Sequence, residues 1–195
     1  YEAGTSCTQA LAFLGADVVK VERPGVGDPG RGVSRGDGNS EYFVMWNSNK
    51  RSVTLALDTP AGRQTLLDML PHYDVFVENY GPGVIEKLDI DYDVMQAIHP
   101  GIIYGRIKGF GTTGPYSTYK CFDMVAQAAS GAFSITGESD GTPLRPGPTI
   151  GDAGTGVQMA LAITAAYVQK LRTGKGQLIE LSMQEAMTYY LRTAM

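Results

Sequence analysis

Toward its carboxyl end the chain reads Gly151-Asp152-Ala153-Gly154-Thr155-Gly156, and a long apolar stretch over residues 157–171 follows at once. An Asp at the mouth of a helix can accept the first free backbone N–H groups, and the helix dipole favours its negative charge. Glycines around it remove the side chains that would hold another molecule at a distance. The pattern describes an ionised, approachable carboxylate on a rigid element. Two roles suit it, helix cap and nucleophile, and the local sequence leaves both open.

Other chemistry-bearing residues read more plainly. The glycines around Asp152 are in the wrong order for a dinucleotide fingerprint and follow no convincing strand, and Thr173-Gly174-Lys175-Gly176 lies after a helix and before a strand, the reverse of a P-loop. His72 and His99 adjoin Pro71 and Pro100 at helix-to-strand turns and read as structural, which removes the usual first choice of general base. Cys7 sits on an apolar helix face as a core thiol. Cys7 and Cys121 make neither a metal spacing nor a disulfide framework, which fits a reducing cytosol. Arg23, Lys50, Arg51, Lys87 and Lys120 each read as surface charges, unless the fold converges several of them on an anion.

The elements that must position these groups alternate. Helical spacing covers residues 7–14 and stops at Gly15, a β-rich run covers 17–22, and residues 23–39 hold six glycines and two prolines in a loop. Further strands are expected over 52–57, 74–78, 101–107 and 177–183. Helices are expected from Pro60, over 122–133 and over 152–172, with a helical pattern again from 185 to 195. Such alternation predicts an α/β fold with a mostly parallel sheet covered by helices on both faces. Ligands then sit beyond the carboxyl ends of the strands, at the loops starting at Arg23, Asn79 and Lys108.

The bulk numbers agree with one large domain: 195 residues, 43% hydrophobic, 18% charged. A net charge of -4 and the lack of a basic block argue against nucleic acid as a partner. Gln158, Thr164, Gln169 and Lys170 interrupt the 152–172 stretch, so it reads as a core helix and no membrane segment is expected. The chain opens at Tyr1 with neither initiator Met nor signal peptide and closes inside a helical pattern. The expectation is therefore a cytoplasmic protein, of which this is a piece cut at both ends.

Several segments taken together resemble one family. They are the run from Leu14-Gly15-Ala16-Asp17 to Val21-Glu22, then Asn49-Lys50-Arg51-Ser52, the run from Val77-Glu78-Asn79-Tyr80 to Gly83, Lys108-Gly109-Phe110-Gly111, Gly151-Asp152, and Arg172 to Gln177 after the long helix. In this order they resemble the class III (CaiB/BaiF) CoA-transferases, which include formyl-CoA:oxalate and carnitine transferases and, as a branch, α-methylacyl-CoA racemase. The resemblance implies part of a Rossmann-like large domain without its first strand, a separate small domain, and an interlocked homodimer. It implies acyl-CoA and a small carboxylic acid as substrates, no permanently bound cofactor and no metal. Asp152 takes the place of the catalytic aspartate, which passes through an aspartyl anhydride and an aspartyl-CoA thioester. Arg23, Leu55, Asn79, Tyr80, Lys87 and Lys120 fall where relatives contact CoA, and Glu2, Asp123 and Gly151 fall near the substrate. Glu2 is expected in a strand-end loop facing Asp152, and backbone N–H groups around the glycines are expected to hold a developing oxyanion.

Two departures bear on the reaction. The racemase branch carries a proton-shuttling histidine where this chain has Phe122, which disfavours α-proton exchange. Formyl-CoA:oxalate enzymes carry Gln in place of Glu2 and a Trp near Val33, which leaves oxalate unsupported at this level. The alternatives to CoA transfer are racemisation of a 2-methylacyl-CoA and a CoA-binding module without catalysis.

Overall fold

A computed structural model describes residues 1–34 and 39–194. Part of the 23–39 loop and the last residue of the 185–195 pattern lie outside the described residues. The element order is α1 (Glu2–Phe13), β1 (Val19–Glu22), α2 (Glu41–Asn47), β2 (Arg51–Thr54), α3 (Pro60–Met69), β3 (Val75–Glu78), α4 (Val84–Lys87), α5 (Tyr92–Ile98), β4 (Ile103–Lys108), α6 (Asp123–Ala129), α7 (Thr155–Thr173), β5 (Gln177–Ser182) and α8 (Met183–Leu191).

All strand pairs are parallel, but they form two groups rather than one sheet: β1 with β2, and β3-β4-β5 in that order. Among the described residues no strand bridges β1 and β3. A cavity of about 1050 Å³ lies where these two edges face each other, lined by Val19, Val21, Val75 and Val77 among others.

β4 shows why helices cover both faces. Alternate side chains point to opposite sides of a strand, and here Ile103 and Ile107 join the core under α1, α7 and α8. Ile102 and Tyr104 join a second core with Leu66, Leu67, Ile85, Ile90 and Met95. A strand buried on both faces is the mark of a parallel α/β sheet. At the far end of α7, Gly174 takes a left-handed conformation (φ 72°) that stops the helix and turns the chain into β5.

Local signals located several boundaries. Thr59 accepts the Gly62 N–H at 3.1 Å and Pro60 fills the first position of α3. Elsewhere the structure departs from the spacing. Helix α1 begins at Glu2, five residues before the apolar pattern does, so Glu2 lies in a first helical turn and not in a loop. The glycine-rich loop contains a 3₁₀ turn (Pro29–Gly32) capped by Asp28 and is followed by α2. The 122–133 helix stops at Ala129, with a separate 3₁₀ turn over Ala132–Ile135.

Candidate active site

The amino-terminal ends of α1 and α7 are pressed together, and that contact builds the site. The start of α1 is a run of small residues, Ala3, Gly4, Thr5, Ser6 and Cys7, all buried. Its hydroxyls donate back along the helix: Thr5 to Tyr1 O (2.7 Å), Ser6 to Ala3 O (3.0 Å) and Thr8 to Gly4 O (3.0 Å). Polar side chains satisfied in this way can be buried without an outside partner. Across from them, a Cβ on Gly156 would lie 2.6 Å from Ala3 O and 2.8 Å from Cys7 N. Only glycine at 156 lets the two backbones approach this closely.

Asp152 is not a helix cap. It lies in a π-helical turn (Ile150–Gly154) ahead of α7, with no side-chain cap hydrogen bond there. Its backbone is held instead: the Asp152 N–H donates to Asp123 Oδ1 (3.3 Å) and the Ala153 N–H to Thr149 O (2.8 Å). Thr155, fully buried, donates to Gly151 O (2.6 Å), and the Tyr190 hydroxyl donates to Gly154 O (3.0 Å). The N–H groups of Asp152 and Ala153 are thus committed within the protein and are not themselves free oxyanion donors.

Glu2, Asp123 and Asp152 form a cluster of three carboxyl groups, 4%, 7% and 9% exposed. They differ in how they are held. Glu2 accepts from the Thr149 hydroxyl and, at 3.4 Å, from the Tyr42 hydroxyl. Asp123 Oδ2 accepts from Gln127 Nε2 (2.8 Å) and pairs with Arg145 Nη2 (3.1 Å). The carboxylate of Asp152 has no hydrogen-bond partner among the described residues. Burial, reinforced by the charges of Glu2 and then Asp123, pushes it up to about 7. Burial also raises Glu2, with the Thr149 hydroxyl pulling it down and Asp123 pushing it further up. Gly151 completes the cluster: a Cβ there would stand 2.7 Å from Asp123 O. Among the described residues, no three His, Cys, Asp or Glu side chains converge as a metal cage. No helix of the structure is long and apolar enough to cross a membrane.

The structure thus brings together Glu2, Asp123, Gly151 and Asp152. A second group, Arg23, Asn79 and Tyr80, lines the cavity between the two sheets. Arg23 is exposed and stands 3.7 Å from Asp58. Asn79 lies against the first turn of α1, where a Cβ on Gly4 would stand 2.8 Å from its Oδ1. That contact joins the two groups through one helical turn. Leu55, Lys87 and Lys120 are not among the cavity's lining residues: Leu55 packs on the core below β2, and the two lysines are exposed, at the end of α4 and in the loop after β4. Sequence reasoning missed Tyr42, Thr149, Gln127 and Arg145, whose roles exist only once the loops meet.

Comparison with known proteins agrees with this architecture. The family model of CoA-transferase family III matches residues 1–195. A formyl-CoA:oxalate CoA-transferase of Bradyrhizobium sp. (strain ORS 278) is 48% identical over 186 residues, 94% of this chain and 44% of that protein. One from Streptomyces avermitilis is 46% identical over 187 residues, 95% of this chain and 45% of that protein. The chain therefore spans less than half the length of these curated relatives. Among solved structures, a CAIB/BAIF family protein from Brucella suis superposes with a TM-score of 0.93 at 36% identity, over 98% of this chain and 52% of that one. Rv3272 from M. tuberculosis superposes with a TM-score of 0.91 at 29% identity, over 99% and 54%. With a family match over every residue and the same fold in solved relatives, this chain belongs to CoA-transferase family III.

Proposed function

We propose that this chain carries the nucleophile of an enzyme that moves CoA from an acyl-CoA donor to a free carboxylic acid. One observation carries the reading: the carboxylate of Asp152 is buried beside two other acids, yet has no hydrogen-bond partner among the described residues. A carboxylate kept only for stability would be paired. One without a protein partner beside two other acids is raised in basicity and free to attack.

The steps balance without any outside reagent. Ionised Asp152 attacks the thioester carbonyl, forming an aspartyl-acyl anhydride and releasing CoA thiolate. The thiolate attacks the Asp152 carbonyl, giving an aspartyl-CoA thioester and the free donor acid. The acceptor carboxylate then attacks that thioester and the sequence runs in reverse. Each step exchanges one activated carboxyl for another, so CoA thioester is substrate and no resident cofactor is required. Arg23, Asn79 and Tyr80 are the proposed CoA contacts, with Arg23 suited to phosphate by charge. Leu55, Lys87 and Lys120 are proposed as outlying contacts, on the family pattern alone.

The curated relatives named for formyl-CoA and oxalate bring small acids forward as substrates. Glu2, buried against Asp152, distinguishes this site from the Gln expected in oxalate enzymes. Phe122 is exposed and packs edge-on to Tyr1 with ring centroids 5.9 Å apart. It has no proton to exchange, which argues against racemisation. Incubating the intact protein with acyl-CoA and hydroxylamine should convert Asp152 to its hydroxamate, visible by peptide mass. Full transfer activity in Asp152→Ala would sink the reading.

A further inference from the structure

The turn after β3, which begins with Asn79 and Tyr80, is held by a buried ion pair that the chemistry at Asp152 does not use. Glu78 ends β3 and Lys108 ends β4, the neighbouring strand. Their side chains are 0% and 8% exposed. Lys108 Nζ stands 3.0 Å from Glu78 Oε2 and also donates to the backbone carbonyl of Tyr80 at 2.9 Å. The same Glu78 Oε2 accepts the Tyr80 N–H at 2.9 Å. Both backbone polar groups of Tyr80 are therefore tied to one pair of opposite charges.

The nearby Arg106 does not duplicate this. Its Nε is 3.3 Å from Glu78 Oε1, and neither atom makes a hydrogen bond. Arg106 also pairs outward with Glu180 at 3.2 Å. Lys108 alone reaches the Tyr80 carbonyl. An ion pair buried this deeply adds little net stability over an apolar pair of the same size, so stability alone does not account for it. A buried charge network does fix geometry, because every member must stay in place to remain satisfied.

We infer that Glu78 and Lys108 are positioning residues, holding the Tyr80 turn in the conformation that receives CoA. The inference rests on the CoA-transferase reading and on the assignment of CoA to Asn79 and Tyr80. It separates the two charged ends of adjacent strands from the catalytic carboxylate: one pair sets where CoA lies, the other group breaks its thioester.

The test uses the intact protein, free CoA in a calorimeter, acyl-CoA kinetics and thermal unfolding. Lys108→Met frees the Tyr80 carbonyl and should weaken CoA binding about tenfold, equal to about 1.4 kcal/mol. The KM for acyl-CoA should rise with it while kcat changes less than about twofold, because the interaction removed contributes equally to ground and transition states. The double variant Glu78→Gln/Lys108→Met removes the Glu78–Lys108 pair, leaves Arg106 its outward partner Glu180, and keeps an acceptor for the Tyr80 N–H. It should regain the melting temperature that Lys108→Met loses but keep the weakened CoA binding. Recovery of wild-type CoA affinity in the double variant would overturn the inference and leave the pair a purely stabilising one. Tyr80→Ala separates the layers. If it weakens CoA binding and Lys108→Met does not, the clamp alone fails. If neither Tyr80→Ala nor Lys108→Met weakens it, the CoA assignment of the turn fails, and the inference with it.

Discussion

Replacing Asp152 by Asn should make the protein more stable, and increasingly so as pH rises. The carboxyl of Asp152 is pushed from its ordinary 3.8 to about 7 by burial, Glu2 and Asp123. A raised carboxyl pKa means the folded state binds the proton more tightly than the unfolded chain does. Between pH 4 and 7 folding therefore takes up a proton, and stability falls as pH rises through that window. Below pH 3.8 the group is neutral in both states and costs nothing. By linkage the penalty is about 2 kcal/mol at pH 5 and about 4 kcal/mol at pH 8. Asn keeps the shape without the charge and removes that penalty.

Chemical denaturation of the wild type and Asp152→Asn in the intact protein at pH 5, 6, 7 and 8 measures the difference directly. The gain should grow by about 2 to 3 kcal/mol across the series. A constant difference would mean that Asp152 is not the titrating group, and a destabilised Asn variant at pH 8 would mean that its carboxylate is paired after all. Activity should move oppositely. The proposed nucleophile must be ionised, so kcat/KM should rise with pH through about 7. A gain in stability together with a loss of activity in one substitution marks a residue kept for its chemistry.

Three further outcomes follow from the same geometry. Glu2→Gln removes the stronger of the two like charges acting on Asp152, so the acidic limb of the kcat/KM profile should shift to lower pH; an unshifted limb would remove Glu2 from the site's electrostatics. Gly156→Ala places a methyl group 2.6 Å from Ala3 O, and should lower unfolding free energy by about 3 kcal/mol or more and abolish activity by parting α1 from α7; a variant of wild-type stability would show that the helices adapt. Glu22, held down to about 2 chiefly by its hydrogen bond from Arg31, with Ser52 and the Asp28 N–H adding to it, contributes stability above pH 4.5 that is lost as pH falls toward 2; Glu22→Gln should erase that part of the acid denaturation profile.

Much of this fold was readable because its helix ends carry strong local signals, such as Thr59-Pro60 and Gly174. The start of α1 was not readable. Gly4, Thr5, Ser6 and Thr8 are poor helix formers, and burial against α7 keeps them helical, their hydroxyls satisfied by carbonyls one turn back. Helix α2 hid behind a glycine-rich loop, although Ser40 before Glu41 was a usable cap signal: its hydroxyl accepts the Phe43 N–H at 3.0 Å. The division into two sheets follows from which strands lie between which, and strand periodicity carries no such information. At the site, Asp152 and Gly151 stood out in sequence because glycines around an acid are locally unusual. Thr149, Tyr42 and Gln127 did not, since a hydroxyl or amide acquires its role only from the carboxylate that long-range folding brings to it.

Capping and the proposed nucleophilic role exclude each other at Asp152. A cap would spend the carboxylate's lone pairs on helix N–H groups and hold its pKa low, giving a stable and weakly reactive anion. The π-turn over Ile150–Gly154 prevents this by placing Asp152 before α7 with its side chain uncapped, while Asp123 takes over the hydrogen bond to its backbone. Burial, with the charges of Glu2 and Asp123 adding to it, then raises the carboxyl to about 7. Such a group is a stronger nucleophile when ionised than a capped one, because basicity and attacking power rise together and no hydrogen bond must break before it reacts. The cost is a site that is about half protonated at pH 7, which is why the pH dependence of stability and of rate should report on one and the same carboxylate.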